Sequence, residues 1–278
     1  MIGAILGALL AVATATALAW KWKLGVVRAA LVVGAWAAAL ALAVALLDHP
    51  GGAAAGALVW AIALAMGGTL VLLRFYRDPE RTPPAAPGLI VSPADGEVLY
   101  VRRSSGGVLP AASKSSRAYT LEELTRTPLH DRDAVVIGIG LSFLDVHVNR
   151  SPLAGQVVRR RHHPGRFASL RRPEAVLENE RATLVIEGDG LQVAVVLIAS
   201  RLVRRIVTFV REGERIRLGQ RIGAIRFGSQ VDLILPADEG LAVRVRPGDR
   251  LTAGETVVAT AGVPSASGAE SQAGGVRG

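Results

Sequence analysis

Three long apolar runs stand at the front of the chain, at residues 2–20, 29–47 and 53–73, and they restrict its fold more than any other feature. As a helix rising about 1.5 Å per residue, the third run is roughly 32 Å long, enough to cross a hydrocarbon core of about 30 Å. Ala, Leu and Val runs of this length have no polar face, so a soluble bundle would have nothing to turn toward water. The first run lacks the basic leader of a cleaved signal peptide. Two to three transmembrane helices are therefore expected within residues 1–74. Half of the 278 residues are apolar, and the excess lies in these runs.

The charges between the runs set the orientation. Lys21, Lys23 and Arg28 lie between the first and second, Asp48-His49-Pro50-Gly51 between the second and third, and Arg74, Arg77 and Arg81 after the third. Basic flanks stay on the cytoplasmic side of a plasma (inner) membrane, so the large C-terminal part is expected in the cytosol. The net charge is +9, nearly all from arginine in clusters such as Arg159-Arg160-Arg161 and Arg204-Arg205. Beside three membrane runs, these clusters point to anionic membrane lipids, at about 1 kcal/mol per basic residue near the surface, and not to nucleic acid. With no cysteine in the chain, disulfides and thiolate metal sites are excluded. His162 and His163 are neighbours and would point to opposite faces of a strand. No second ligand pair is spaced for a metal, so no metal site is expected.

After an interfacial linker at 75–87, ending in a Pro-rich stretch, the pattern turns to β. Strands are predicted at 89–91, 96–101, 134–141, 154–158, 193–198 and 203–209, with a short helix near 121–124. Alternation along 143–149 would put Asp145, His147 and Asn149 on one strand face. A repeat follows: Val210-Arg211-Glu212-Gly213-Glu214-Arg215-Ile216 with Gly219-Gln220-Arg221-Ile222 recurs as Val245-Arg246-Pro247-Gly248-Asp249-Arg250-Leu251 with Gly254-Glu255-Thr256-Val257. Two strand–turn–strand units of this kind predict a barrel-sandwich of the lipoyl- and biotin-carrier type. A carrier needs a lysine at a hairpin tip, yet from Val210 onward there is none. Between the copies stands Gly228-Ser229, flanked by strand-like 222–227 and 231–235. A small residue and a hydroxyl pinned between strands is a place where backbone strain can be stored. Residues 262–278 form a Gly/Ser/Ala tail, expected to be disordered.

Gly219-Gln220-Arg221-Ile222-Gly223, Arg226-Phe227-Gly228-Ser229 and Val231-Asp232 together resemble the maturation site of the phosphatidylserine decarboxylase family. Asp145-Val146-His147 with Arg150 and Pro152, Ser92-Pro93-Ala94-Asp95-Gly96, and Arg77-Asp78-Pro79-Glu80-Arg81 resemble its other strings. Pro164-Gly165-Arg166-Phe167 and Asn179-Glu180-Arg181 also match, while 170–178 matches poorly and Ala199-Ser200 replaces the family's Ala-Gly. The resemblance covers roughly 75–259.

It implies a mainly β catalytic domain at 88–261 that cuts itself between Gly228 and Ser229 into large and small chains. Ser229 becomes a covalent pyruvoyl group, the cofactor and the point of attachment for phosphatidylserine, which is converted to phosphatidylethanolamine and CO2. The family assigns the base to a histidine oriented by an aspartate, here His147 and Asp95. A homo-oligomer is also implied. Decarboxylation leaves electrons on a carbon, and no ordinary side chain accepts them. Pyridoxal phosphate would need a lysine, and the only lysine beyond the membrane region is Lys114. The alternatives are a membrane-tethered barrel without activity that binds lipid or a partner, and a decarboxylase of a related ether-lipid phosphoserine headgroup.

Overall fold

A computed structural model of the chain describes residues 2–22, 24–46, 52–110, 118–126, 133–166, 168–170, 175–200, 206–225, 229–238 and 240–262. It divides into two compact units, Met1–Pro79 with Ser142–His147, and Glu80–Leu141 with Val148–Gly278.

The first unit is built on α1 (Ile2–Trp22), α2 (Val26–Leu46) and α3 (Ala53–Phe75), all long and apolar enough to cross a membrane. In lipid no hydrophobic drive holds helices together, so close packing of small residues must do so. Ala11, Ala15, Val33, Ala37 and Ala63 form the buried seam. At Gly7 and Gly56 the backbones of α1 and α3 approach so closely that a Cβ on Gly7 would lie 2.0 Å from the Gly56 carbonyl oxygen. Leu6, Leu9 and Leu31 are exposed, as lipid-facing side chains would be. Helix α2 starts before its apolar run, which places Arg28 in its first turn and not in the connection. Apolar patterning marks the face that leaves water, while the backbone helix extends past it.

The second unit is mainly β. In chain order it holds β1 (Leu89–Val91), β2 (Gly96–Arg103), β3 (Val108–Leu109), β4 (Tyr119–Thr120), α4 (Leu121–Thr125), β5 (Ala134–Leu141), β6 (Val148–Arg150) and β7 (Gly155–His163). Then come α5 (Ala175–Glu178), β8 (Arg181–Gly188), β9 (Leu191–Ile198), β10 (Ile206–Thr208), β11 (Arg215–Ile216), β12 (Arg221–Ile225) and β13 (Ser229–Pro236). The last strands are β14 (Leu241–Val243), β15 (Arg250–Leu251) and β16 (Val257–Ala261). Helix α4 forms where predicted because Thr120 and Glu123 make a capping box, each side chain bonding the other's backbone N–H.

Eight strands make one curled antiparallel sheet in the order β11-β7-β8-β9-β13-β5-β2-β15. Both faces of its centre are covered. Ile137, Leu184, Val195, Val231 and Leu233 lie in one core cluster, and Val136, Val185, Val196 and Ile234 in another. Double burial explains why β5 and β9 read as nearly continuous apolar runs without alternation. Gly138 and Gly140 in β5 serve close approach: a Cβ on Gly138 would lie 2.4 Å from the Tyr100 ring. Strand β7 runs to His163, well beyond the predicted 158, because its second half is polar yet still pairs with β8.

Two smaller sheets, β1-β16-β14 and β6-β12-β10, carry a pseudo-twofold relation. Each repeat copy pairs with its own upstream segment, β11 with β7 and β15 with β2. Val91 N–H donates to the Pro152 carbonyl and Arg150 N–H to the Pro93 carbonyl, both at 2.9 Å. Ser92 Oγ donates to the Ala94 carbonyl and Ser151 Oγ to the Leu153 carbonyl, both at 2.6 Å. The equivalence exposes an upstream repeat that is weak in sequence, Ser92-Pro93-Ala94-Asp95-Gly96 against Ser151-Pro152-Leu153-Ala154-Gly155.

Candidate active site

Ser229 opens β13, the strand between β9 and β5 in the large sheet. Its backbone stands opposite Leu141, and Gln230 is matched on both sides, to Gly140 and to Ile198. Arg226, Phe227 and Gly228 lie outside the described residues, as does the Ser229 side chain. In sequence, the Gly228-Ser229 bond stands between the end of β12 at Ile225 and the start of β13, a strand paired along both edges.

His147 lies in the helical unit, on the Ser142–His147 loop. The strand alternation expected for 143–149 is not realised, because this loop turns before β6 begins at Val148. The turn is closed twice: Asp145 N–H donates to the Ser142 carbonyl at 3.1 Å, and Ser142 N–H donates to the Asp145 carboxylate at 2.7 Å. A carboxylate that bonds its own turn competes with strand formation. Asp145, His147 and Asn149 are all buried rather than displayed on an open face.

The His147 imidazole has Nδ1 at 2.8 Å from the Asp145 carbonyl oxygen. A carbonyl only accepts, so Nδ1 carries the proton and Nε2 holds the lone pair in the neutral ring. Nε2 is buried and has no hydrogen-bond partner among the described residues. Burial pushes the imidazole down to about 4, against the opposing pull of the Asp145 carbonyl and carboxylate. A neutral ring at physiological pH, with one nitrogen fixed and the other presenting a lone pair, can act as a general base.

Asp95 lies in the β unit, at the turn into β2. Arg81 Nη2 pairs with it at 3.1 Å, and Ala253 N–H donates to Oδ1 at 2.8 Å. Arg81 also reaches Glu255 at 3.3 Å. The twofold counterpart of Asp95 is Ala154, which builds the same corner without a carboxylate. The corner fold does not require this acid.

A second buried polar group, Asp232, entered the sequence reading only as a letter of the maturation string, with no role of its own. Asp232 accepts from Tyr100 Oη at 2.9 Å and from Gln230 Nε2 at 2.7 Å. Burial pushes its carboxyl up to about 6, although both hydrogen bonds oppose the rise. Burial also holds the Tyr100 hydroxyl well above its ordinary value, with Asp232 adding to the effect. Asp232 alternates with buried apolar residues in a central strand, and its polarity against that background is the signal of a buried bonding partner. Asn179 and Arg181, from the Asn-Glu-Arg string, are structural ties: Asn179 bonds Ala168 and the Ala199 carbonyl, and Arg181 bonds the carbonyls of Glu123, Leu124 and Leu177. Arg204 and Arg205 lie outside the described residues.

A family model described as phosphatidylserine decarboxylase matches residues 69–259. The chain belongs to the phosphatidylserine decarboxylase family. It is 42% identical to a phosphatidylserine decarboxylase proenzyme of Pelobacter propionicus over 70% of this chain and 78% of that protein. A proenzyme of the same name from Symbiobacterium thermophilum is 41% identical over 72% and 83% of the two chains. A protein provisionally named archaetidylserine decarboxylase proenzyme, from Methanothermobacter thermautotrophicus, is 43% identical over 68% and 79%. Family members are thus named for two lipid substrates, and the match starts at residue 69, within α3.

Proposed function

We propose that this chain is a membrane-bound phosphatidylserine decarboxylase proenzyme that cuts itself at Gly228-Ser229 and works through a pyruvoyl group made from Ser229. Family membership carries the reading, and the buried Nε2 of His147, without a hydrogen-bond partner among the described residues, supplies the chemistry it needs. The residues suit such a group, since the serine that would carry it opens a strand held on both edges. Once formed, the pyruvoyl group supplies the ketone that takes up the electrons left by the departing CO2.

His147 Nε2 takes the Ser229 hydroxyl proton, and the oxygen attacks the Gly228 carbonyl, exchanging an amide for an ester. Loss of the Ser229 α-proton expels the Gly228 carboxylate, and hydrolysis of the resulting enamine releases ammonia. Asp95 orients this machinery in the manner of a hydrolase triad. That Ala154 fills the equivalent corner supports a reason other than folding for Asp95. In turnover His147 returns a proton to the substrate carbon, its Nδ1 bond to Asp145 keeping the ring in one tautomer.

The working parts in this reading are a membrane region at 1–74, a linker at 75–87, a catalytic domain at 88–261 and a tail at 262–278. The twofold relation of β11–β12 to β15–β16 supports the barrel-sandwich description. The catalytic domain faces the cytoplasm, and the assembly is a homo-oligomer. Anionic headgroups suit a cavity of about 530 Å³ lined by Arg81, Arg150, Arg217 and Arg221, with Glu80 paired to Arg221 at 2.8 Å. Four guanidinium forks against one carboxylate leave it positive, and such forks match phosphate oxygens. The relative named for archaetidylserine keeps the ether-lipid substrate as the second reading. Mass spectrometry of the purified protein tests the proposal. A large piece ending at Gly228 and a small piece beginning with pyruvoyl are expected, with Ser229→Ala left whole and inactive. A cleaved, active Ser229→Ala chain would overturn the mechanism, and assay on diacyl and ether phosphoserine lipids separates the two substrates.

A further inference from the structure

Phe75 is the last residue of α3, at the end of a helix long enough to span a membrane. An aromatic residue there ordinarily belongs to the interfacial belt, with its edge in the headgroup layer. Phe75 does not behave so, being 2% exposed. Its ring centroid lies 4.3 Å from that of His147 with the planes tilted by 38°. Phe143 stands 5.2 Å from Phe75, and Tyr76 meets Phe75 edge-on at 5.0 Å. The loop carrying His147 clusters with the helices and not with the sheet that follows it in sequence.

We propose that Phe75 is a positioning residue for His147: from the end of α3 it clamps the imidazole, keeps water off the ring and leaves Nε2 as the ring's proton acceptor. The inference rests on the reading of His147 as the base for Ser229. Within the helical unit the charged groups facing the ring are Asp145, which favours its protonated form, and Arg77, which opposes it. Neither outweighs burial, so the apolar cover controls whether the ring is neutral. Anchoring and chemistry then share a part, since the helix that tethers the enzyme also forms one wall around its base.

The test uses the full chain, made by cell-free translation into lipid nanodiscs and followed on gels as it cleaves between pH 4 and 8. Phe75→Ala opens the ring to water, whereas Phe75→Leu keeps the site apolar without the aromatic face. If hydration moves His147 from about 4 to about 6, roughly a tenth of the rings stay neutral at pH 5, so cleavage there falls about 10-fold. At pH 8 the same variant should cleave nearly as fast as wild type. Phe75→Leu should show a smaller shift of the acid limb, and it carries the test if Phe75→Ala does not fold. A merely structural role would lower the rate equally at every pH. Superimposable acid limbs in all three chains, with His147→Ala uncleaved, would overturn the role of Phe75 and leave His147 as base. Normal cleavage by His147→Ala would instead remove the base assignment and this inference with it.

Discussion

Arg81 and Asp95 form an ion pair at 3.1 Å, both largely shielded, and Arg81 extends the pair to Glu255 at 3.3 Å. A carboxylate tied to a guanidinium and to the Ala253 N–H has little freedom to turn. Asp95→Asn should slow self-cleavage by about 10² to 10⁴-fold, the usual scale for general-base assistance. Arg81→Ala should slow it less, by about 10-fold, because Ala253 still holds one oxygen. The double variant should be no slower than Asp95→Asn alone, since the two act through one group. A gel time course measures all three. Additive losses would place Arg81 on a separate task.

After cleavage the small piece should stay bound to the large one. Strand β13 keeps its pairing with β5 and β9, β15 with β2, and β16 with β1. Cutting before Ser229 breaks none of these ladders. The two pieces should co-elute on size exclusion in mild detergent and separate only in denaturant. Elution of a free small piece without denaturant would contradict this packing.

Much of this site was legible in the sequence where the signal was local. The ends of β1 and β5 and the place of α4 were all carried by short-range patterns. His147 and Asp95 were singled out through strings of residues, and the fold then added what strings cannot contain. Alternation failed at 143–149 because Asp145 spends its carboxylate on the Ser142 N–H, a local bond that outcompetes a strand. The corner at Ser92 and its twin at Ser151 were invisible as a repeat because only Ser, Pro and Gly are shared. Phe75 read as a membrane-interface residue, since nothing in its neighbourhood announces a partner 72 positions later.

The flanking charges predict a topology: Lys21 is in the last turn of α1 with Lys23 two residues on in sequence, and Arg74 is in the last turn of α3 with Arg77 and Arg81 after it. If these ends are cytoplasmic, a periplasmic reporter fused at Asp48 should be exported and one fused after Arg81 should not. Finding both reporters on one side would remove either the second or the third crossing. Changing Lys21 and Lys23 to Gln should weaken the bias, because basic residues near helix ends set orientation.

Asp232 gives a stability prediction with a definite sign. Its carboxyl ionises at about 6 in the fold, against an ordinary 3.8. Between those values the unfolded chain loses the proton first, so the folded state holds more protons and rising pH favours unfolding. The contribution of Asp232 is therefore fully present below about pH 4 and lost by about pH 6. His147 acts in the opposite direction. Its folded value of about 4 lies below the ordinary 6.5, so its contribution is present above 6.5 and is lost as pH falls. The two slopes oppose each other over nearly the same range, and a single melting curve against pH would hide both. Comparison with Asp232→Asn, in the uncleaved Ser229→Ala background, isolates one of them. Asn can still accept from Tyr100 and Gln230, but its NH2 is a donor where those two already donate, so a constant offset is expected. The diagnostic is the slope: the melting midpoint of Asp232→Asn should rise relative to its parent as pH goes from 4 to 6, then run parallel above. A gap that does not change with pH would mean that Asp232 ionises inside the fold as it does in water.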